Sequence, residues 1–403
     1  MTLSPLGPLP SPLESGQSRQ RAWIEVSTEA IESNARALCR HIGPRTALMA
    51  VVKADGYGHG AVPVARAALA GGAASFGVAT LAEGVELRRH GISAPVLVLG
   101  NLSQPEELRS CLRWQLMPTL SSMREALLCQ HLASSCGRRL QVQLKLDTGM
   151  GRLGADWQEG ARLVAALLEL EALELVGLYS HLASADCPPE QDDDLTRSQQ
   201  QRFEAVLQSL AARDLSGGCR HLANSAGTLR NRSYHYDLVR VGLALYGQAP
   251  AVHLSSVLPL QPAMRVHARV TLLRDVAAGV GVSYGHRWRS QRPSRLAVVG
   301  IGYADGVPRQ LSNRLEVLFR GRRLPQVGMI TMDQLLVDAT DCPDLEPGSV
   351  VTLLGSDGDQ TIGPQDWSEH CGTIPWEILC GFKHRLPRLA EGARGTDDDA
   401  GGA

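Results

Sequence analysis

The feature that most constrains the fold is a regular alternation of short apolar runs with longer amphipathic stretches over about residues 21–247. The apolar runs are 47–52, 76–80, 95–99, 115–120, 141–146, 175–179, 220–223 and 238–245. The stretches between them, such as 157–170 and 195–213, have the 3.6-residue spacing of helices. Eight strand–helix units in about 230 residues predict a closed (β/α)8 barrel of parallel strands. An open doubly wound sheet is the alternative, which the lack of a Gly-x-Gly-x-x-Gly motif after the first strand disfavours.

The pattern changes after about Pro250. Strand-like runs then follow one another across short Gly- and Pro-containing turns, at 264–273, 295–301, 314–319, 334–337 and 349–354. This spacing predicts a second, β-rich domain. We therefore expect a barrel over 21–258, a β-rich domain over 259–390, and disordered tails at 1–20 and 391–403, where the sequence is rich in Pro, Ser, Gly or Asp.

Composition excludes several classes of protein. The chain has 40 basic and 41 acidic residues, a balance that offers neither a nucleic-acid footprint nor a polybasic membrane patch. No run approaches 18 apolar residues, and the N-terminus lacks the basic and apolar segments of a signal peptide. Nine cysteines without a Cys-x-x-Cys pair are typical of reduced thiols, so we expect a cytoplasmic protein.

Polar residues follow the apolar runs at the places where a barrel carries its chemistry. They are Lys53 after the first run, 147–152 after the fifth, His181 after the sixth, Asn224 and Ser225 after the seventh, and Arg240 within the eighth. Each alone also fits a strand-end turn or a solvated charge. Together they predict a site at the carboxyl ends of the strands.

Segment 50–60 (AVVKADGYGHG) is the richest of these places. A lysine at the end of a buried strand is partly desolvated, which lowers its pKa and frees the amine to form a Schiff base with an aldehyde cofactor. The glycines allow backbone amides to approach a phosphate, and Tyr57 can donate a hydrogen bond to it. A tight turn with an exposed lysine explains the same segment equally well.

This segment resembles the cofactor-lysine signature of the alanine racemase family. Further matches follow in the family's order, at 145–154 (KLDTGMGRLG), 180–181 (SH), 224–227 (NSAG), 239–242 (VRVG), 282–285 (VSYG), 302–306 (GYADG) and 328–334 (GMITMDQ). Their order across both predicted domains makes the resemblance specific. It implies a pyridoxal 5′-phosphate (PLP) barrel followed by a β domain, interconversion of L- and D-alanine that supplies D-alanine for peptidoglycan, and a homodimer with shared sites.

The resemblance also implies roles for individual residues. Lys53 holds PLP and acts as the base for one enantiomer, and Tyr284 is the base for the other. The remaining cofactor-binding residues are Tyr57, Ser225, Gly242 and Leu243 at the phosphate, and Arg240 with His181 at the pyridine nitrogen. The substrate-binding residues are Arg152, the backbone amide of Met332, and Tyr303 at the entrance. In many members the lysine matching Lys145 is carbamylated and orients the arginine matching Arg152.

Elementary chemistry agrees with these roles. Two bases on opposite faces of Cα remove a proton from one face and return one to the other. An arginine at the pyridine nitrogen stays protonated, so it donates a hydrogen bond and leaves that nitrogen unprotonated. Charge then remains at Cα, which disfavours transamination. A buried structural arginine and a packed turn tyrosine are the alternative interpretations of Arg240 and Tyr284.

Two departures from the family pattern leave specificity open. His384 stands where many relatives have a tyrosine, and Met329 where some have an arginine at the channel mouth. A broad racemase acting on serine or lysine is therefore the main alternative. Barrel decarboxylases and D-amino-acid dehydratases are disfavoured by segment 282–285, and small single-barrel PLP-binding proteins by the β-rich domain.

Overall fold

The computed structural model describes residues 21–188, 194–382 and 384–391. The predictions of disorder for 1–20 and 392–403 lie outside these residues. Two compact units emerge: one spans Ser27–Ala263, and the other runs from Met264 and includes the strand Ala22–Val26.

The strands are labelled in chain order. They are β1 (Ala22–Val26), β2 (Ala47–Val51), β3 (Ser75–Val78), β4 (Val96–Asn101), β5 (Met117–Leu120), β6 (Leu140–Asp147), β7 (Ala155–Asp156), β8 (Leu173–Tyr179), β9 (Cys219–His221), β10 (Leu238–Val241), β11 (Met264–Val276), β12 (Gly281–Val282), β13 (Trp288–Arg289), β14 (Ser294–Val299), β15 (Glu316–Phe319), β16 (Arg322–Val327), β17 (Leu335–Asp338), β18 (Val350–Asp357), β19 (Gln360–Ile362) and β20 (Arg388–Ala390).

The first unit is the predicted barrel. Its strands pair in parallel in the order β10-β2-β3-β4-β5-β6-β8-β9. Two backbone bonds bring the ends of this sheet together, from Asp237 N to Arg220 O and from Arg240 N to Ala223 O, both 3.0 Å. The barrel is thus nearly closed, and the predicted fold class is confirmed.

Helices alternate with these strands. They are Thr28–Ile42, Ala61–Ala70, Leu81–Arg89, Pro105–Trp114, Met123–Ser135, Gly160–Leu168, Asp194–Ala211 and Ser225–Arg230. Short polar side chains fix several of their first turns, since the unpaired N–H groups there need acceptors. Thr80 and Glu83 form a capping box at Leu81–Arg89, and the side chain of Asn224 accepts from Gly227 N at 3.0 Å.

The interior of the barrel is closed by side chains from five strands. Met49, Leu97, Met117, Tyr179 and Leu238 form one buried cluster. Because these residues come from β2, β4, β5, β8 and β10, their contact requires a sheet curved on itself.

The second unit is β-rich, as predicted. Strands β11, β14, β17, β16, β15 and β18 pair antiparallel in a closed cycle, and helices Pro364–Cys371 and Pro375–Gly381 follow. The sequence placed residues 21–26 with the barrel, but β1 pairs with β11 and β20 of this unit instead. The sequence also missed β16, because its two arginines and Pro325 do not resemble a strand.

Within the residues that the structure describes, no helix is both long enough and apolar enough to cross a membrane.

Candidate active site

Lys53 follows β2 directly and opens an unusual turn. The four residues after it, Ala54 to Tyr57, all have φ between 51° and 59°, in the left-handed region that only glycine enters without strain. Gly56 N donates to Val52 O at 2.9 Å, and Ala54 N donates to the Glu83 carboxylate at 2.7 Å. The glycines of segment 50–60 therefore lie in and just after this turn, and their contact with a phosphate stays a prediction. Strain held by several bonds is typical of functional sites.

The amine of Lys53 makes no hydrogen bond or ion pair with any described residue, and the side chain is half-buried. It is one of only three lysines in the chain, with Lys145 and Lys383. A half-buried amine without a carboxylate partner is available for a covalent bond to an aldehyde.

Tyr57, Ser225 and Gly242 come together as predicted. The Ser225 hydroxyl accepts from the backbone N–H groups of Gly242 at 3.1 Å and of Ala244 at 3.4 Å. A Cβ added to Gly242 would overlap the Tyr57 hydroxyl, so glycine is required for this approach. The N–H of buried Leu243 has no acceptor among the described residues. The hydroxyls of Tyr57 and Ser225 and the N–H of Leu243 suit a phosphate. The N–H of Gly242 is not available for one, because it donates to Ser225.

Arg240, in β10, is held by four acceptors. Its guanidinium donates to the carbonyls of Ser180 (2.7 Å) and Leu222 (3.2 Å), and to Nδ1 of His221 (2.9 Å) and of His181 (3.1 Å). The residue is only 3 % exposed. Its Nε–H and one Nη1–H donate to none of the described residues. The Nε–H, whose direction is fixed by the other bonds, is available to another acceptor, such as a pyridine nitrogen.

Burial lowers the pKa of Arg240 to about 10, which leaves the guanidinium charged near neutral pH. The same burial, together with the charge of Arg240, holds the pKa of His181 and of His221 well below 6.5. Both imidazoles are therefore neutral. Because arginine only donates, each Nδ1 must be an acceptor, and each histidine carries its proton on Nε2. The Nε2–H of His221 donates a hydrogen bond to Oε1 of the Gln143 side chain at 2.8 Å.

Tyr179 provides a flat surface beneath this network. Its ring stacks on His221 with centroids 4.7 Å apart, and the Arg240 guanidinium lies 5.1 Å from its centroid. Its hydroxyl lies 2.8 Å from Thr119 Oγ1, whose own hydrogen goes to Val98 O at 2.7 Å, so Tyr179 is the donor. Burial raises the pKa of Tyr179 to about 12, which keeps the phenol neutral.

Lys145, in β6, lies 6.0 Å from the centroid of the Tyr179 ring and is only 4 % exposed. Burial, and then the positive charges of Arg152 and Arg240, lower its pKa to about 8. Arg152 itself is exposed and has no ion-pair partner among the described residues. It lies just beyond a turn in which Asp147 Oδ1 accepts from Gly149, Met150 and Gly151 N–H groups at 2.9–3.1 Å.

The β-rich unit holds the other predicted site residues. The backbone N–H of Tyr303 donates to Thr331 O, and that of Ala304 to Met332 O, both at 3.0 Å, so Tyr303 and Met332 adjoin. The Met332 N–H has no acceptor among the described residues, as expected for an amide that binds a carboxylate. Tyr284 lies in the turn Tyr284–His286 and is 70 % exposed.

Sequence reasoning missed His221, Gln143, Tyr179 and Thr119. All four belong to the predicted strands themselves rather than to the segments that follow them, where the sequence placed the site. A signal existed, because Gln143 and Lys145 alternate with Val142, Leu144 and Leu146 in β6, and every one of these side chains is buried. Polar residues on a buried strand need partners, which predicts a network in the barrel interior.

The side chains brought together here fit PLP: a lysine amine without a partner among the described residues, hydroxyls beside an open backbone amide, and a caged arginine whose Nε–H has no acceptor. Of the predicted cofactor-binding residues, all belong to the barrel unit.

Comparison with known proteins gives the same answer for both units. The chain matches the model of the alanine racemase N-terminal domain over residues 26–250 and that of the alanine racemase C-terminal domain over 263–390. It is 56 % identical to an alanine racemase of Prochlorococcus marinus, over 94 % of this chain and 98 % of the relative. It is 51 % identical to an alanine racemase of Synechocystis, over 92 % and 99 %.

Solved structures agree. The fold is similar to that of alanine racemase from Streptomyces lavendulae, with a TM-score of 0.86 and 37 % identity over 94 % of this chain and 98 % of that one. It is also similar to alanine racemase from Bartonella henselae with covalently bound pyridoxal phosphate, with a TM-score of 0.81 and 33 % identity over 92 % and 99 %. By fold, by site geometry and by these matches, the chain belongs to the alanine racemase family.

Proposed function

We propose that this protein interconverts L- and D-alanine with PLP, using Lys53 and Tyr284 as its two bases. The observation that carries the proposal is the arrangement of Arg240, a buried and caged guanidinium whose Nε–H has no acceptor among the described residues. Because the barrel strands are parallel, Lys53, Ser225 and Arg240 belong to the same rim of the barrel.

Different residues of the barrel would bind different parts of the cofactor. The Lys53 amine would hold PLP through its aldehyde, while Tyr57, Ser225 and the Leu243 amide would hold the phosphate, and Arg240 would face the pyridine nitrogen. When bound, PLP supplies an electron sink that weakens the Cα–H bond of the amino acid.

Arg240 sets how strong that sink is. Burial lowers the pKa of Arg240 only to about 10, so the guanidinium stays charged, donates a hydrogen bond and transfers no proton. The neutral tautomers of His181 and His221 add no proton donor at Nδ1. An unprotonated pyridine nitrogen would make PLP a weaker electron sink, which would favour return of the proton to Cα over transamination.

Proton transfer needs one base on each face of Cα. We assign Lys53 to D-alanine and Tyr284 to L-alanine. Arg152 and the Met332 amide hold the substrate carboxylate, and Tyr303 lines the entrance. Tyr284, Tyr303 and Met332 are 70 %, 41 % and 53 % exposed. Large exposed side chains of this kind favour an interface, so we propose a homodimer in which they complete the partner's site.

Lys145 is proposed to carry a carbamate, as the family resemblance implies. The reaction joins the neutral amine to carbon dioxide and releases one proton. A pKa of about 8 supplies neutral amine near physiological pH, and no carboxylate pairs with Lys145 among the described residues. The resulting anion would face Arg152 and orient it.

Chiral analysis of alanine, serine and lysine after incubation with the holoenzyme tests the proposal. D-alanine forming far faster than D-serine or D-lysine supports it, and no D-isomer despite bound PLP contradicts it. Comparable D-serine or D-lysine would support the broad racemase, whose basis is that Met329 and His384 replace an arginine and a tyrosine. We further propose that the enzyme is cytoplasmic and that its D-alanine enters peptidoglycan.

A further inference from the structure

Glu83, in the first turn of the helix that follows β3, makes one contact more than a helix cap requires. Its Oε2 accepts from Ala79 N at 2.7 Å and from Thr80 N at 3.1 Å, which satisfies backbone N–H groups at the start of the helix. Its Oε1 accepts from Ala54 N at 2.7 Å. Ala54 directly follows the proposed cofactor lysine, so one carboxylate connects this helix to the turn that carries the lysine.

The contact lies where the pairing of β2 with β3 ends. A backbone bond from Val52 N to Gly77 O, at 2.9 Å, joins the ends of the two strands. Just beyond it, Ala54 N on the β2 side and Ala79 N on the β3 side both donate to Glu83. The carboxylate therefore replaces a bond of the backbone ladder, and a charged acceptor makes each of these hydrogen bonds stronger than a neutral one.

The turn after Lys53 needs such support because its conformation is unfavourable. Ala54 and Asp55 have φ of 53° and 51°, in the left-handed region where a Cβ crowds the backbone. Before the lysine, Val52 is fixed by its own N–H and by its carbonyl, which accepts from Gly56 N at 2.9 Å. After the lysine, the contact from Ala54 N to the carboxylate has this function. Without it, we expect the turn to relax and the Lys53 side chain to change direction.

A second glutamate of the barrel separates capping from this further contact. Glu107 also lies in the first turn of a helix, and it is half-buried like Glu83. Its Oε2 accepts from Ser103 N and Gln104 N, both at 3.1 Å, which are four and three residues before it, as Ala79 and Thr80 are before Glu83. The Oε1 of Glu107 accepts from none of the described residues. Capping thus uses one oxygen, and the second oxygen of Glu83 is the one that reaches the lysine turn.

We propose that Glu83 is a positioning residue for the cofactor. It fixes the backbone after Lys53, and because Tyr57 belongs to the same turn, it places the amine and the phosphate-binding hydroxyl together. Glu83 is not a catalytic residue, since its two oxygens already accept from three backbone N–H groups. The inference rests on the proposed role of Lys53.

Two variants and a matched control test this role. Glu83→Gln keeps one oxygen, which accepts at the cap or at Ala54 N but not at both. Glu83→Asp keeps the charge and the cap, as Asp366 does when it accepts from Gly363 N at 2.7 Å, but it is one methylene shorter and cannot also reach Ala54 N. Glu107→Gln removes the same charge from an equivalent cap and leaves the lysine turn unchanged.

The rate at which the holoenzyme releases PLP, with a phosphatase present to destroy the free cofactor, measures the positioning directly. We expect release at least about tenfold faster in both Glu83 variants, because loss of a hydrogen bond to a charged group corresponds to about that factor. The circular dichroism of the PLP absorbance band should weaken, because the cofactor is held less rigidly. Glu107→Gln should match the wild type in both measurements.

Kinetics should show the same separation. We expect kcat to fall about 10- to 100-fold in the Glu83 variants, since a small displacement of a reacting group has an effect of that size. The KM for alanine should change little, because Arg152 and the Met332 amide are the groups assigned to the substrate carboxylate.

The inference and the proposed function fail in different ways. Wild-type PLP release and dichroism in Glu83→Asp, or equal changes in Glu107→Gln, would overturn the positioning role while borohydride still attaches PLP to Lys53. If borohydride attached PLP to another residue in the wild type, the assignment of Lys53 would fail, and the positioning role with it.

Discussion

The proposed site residues of the barrel and those of the β-rich unit differ sharply in how the fold holds them. Arg240 and Lys145 are nearly inaccessible, and Arg240 alone makes four side-chain hydrogen bonds. Tyr284, Tyr303 and Met332 lie on turns with their side chains largely exposed. The interior of the barrel has thus fixed Arg240 and the proton positions of His181 and His221 before any ligand arrives. These exposed side chains of the β-rich unit, like Arg152 at the barrel rim, have no side-chain partner among the described residues.

This difference in burial decides what sets the pKa of each proposed site residue. A buried group takes its pKa from its surroundings, as the values of about 8 for Lys145 and about 10 for Arg240 demonstrate. An exposed group acquires a special environment only when something covers it. We therefore expect Arg240 in the barrel to set how strongly PLP withdraws electrons. We expect Tyr284, the proposed second base, to become reactive only when the homodimer forms.

The largest effect is expected for Lys53→Ala. Loss of the amine removes both the attachment of PLP and one base, so racemisation should fall by at least about 10⁴-fold. Borohydride reduction should then leave no PLP on the protein. The control Lys383→Arg should still be labelled, and because the chain has only three lysines, peptide mapping is unambiguous. Labelling that persists in Lys53→Ala contradicts the assignment.

Tyr284→Phe should act on one face only. We expect exchange of the Cα proton of L-alanine with deuterated solvent to fall about 10²- to 10⁴-fold, since a base contributes about that much. Exchange of D-alanine should change much less. Tyr303→Phe, in the same exposed group, is the control and should affect both enantiomers alike. Equal losses for both enantiomers in Tyr284→Phe would remove the two-base assignment.

Arg240→Glu tests the electronic control by the barrel. A carboxyl group at the pyridine nitrogen shares a proton with it and strengthens the electron sink, so pyruvate from transamination should rise at least about tenfold relative to racemisation. Racemisation should fall by about 10²- to 10³-fold, as for loss of one fixed donor in an active site. An unchanged ratio of pyruvate to D-alanine would mean that Arg240 does not contact the pyridine nitrogen.

The Lys145 carbamate should depend on pH. The pKa of about 8 lies below the ordinary 10.5, so burial disfavours the charged form, and neutral amine increases as pH rises through 8. About a tenth is neutral at pH 7 and about nine tenths at pH 9. A ¹³C carbamate signal from labelled bicarbonate should appear in the wild type and in Lys383→Arg, and be absent in Lys145→Met, whose KM for alanine should rise about tenfold. A signal that survives Lys145→Met would refute the site.

The smallest effect is expected for Gln143→Leu, which leaves the buried Nε2–H of His221 without an acceptor. The free energy of unfolding should fall by about 1–3 kcal/mol. His221 can then move its proton to Nδ1, against Arg240, so kcat should drop several-fold with KM unchanged and pyruvate should rise. Gln143→Glu restores an acceptor and should recover the ratio of products. Equal changes in both variants would indicate a packing role.

Much of the fold was accessible from the sequence. The eight apolar runs correspond to β2, β3, β4, β5, β6, β8, β9 and β10, because parallel strands buried on both faces are continuous apolar segments. Strand β1 was assigned to the wrong unit, since five residues carry no information about their partners and the pairing with β11 joins residues about 240 positions apart.

Around the cofactor lysine, the sequence identified the segment but not its shape. Three glycines suggested phosphate contact, which stays a prediction. The sequence did not reveal that Gly56 sits in a left-handed turn with Ala54, Asp55 and Tyr57, or that Gly58 and Gly60 after it also have positive φ. Such a turn is stabilised by the distant Glu83 carboxylate on Ala54 N, a contact that no local pattern reveals.

By itself, therefore, the sequence determined the two-unit architecture, the family and the residue types of the chemistry, because periodicity and motifs are local and survive without coordinates. Only the tertiary structure decided the proton positions of His181 and His221, the pKa values of Arg240 and Lys145, and the network through Tyr179 and Gln143. Those properties arise from burial and from hydrogen bonds between strands far apart in the chain, and desolvation and Coulomb interactions depend on distances in space rather than along the sequence.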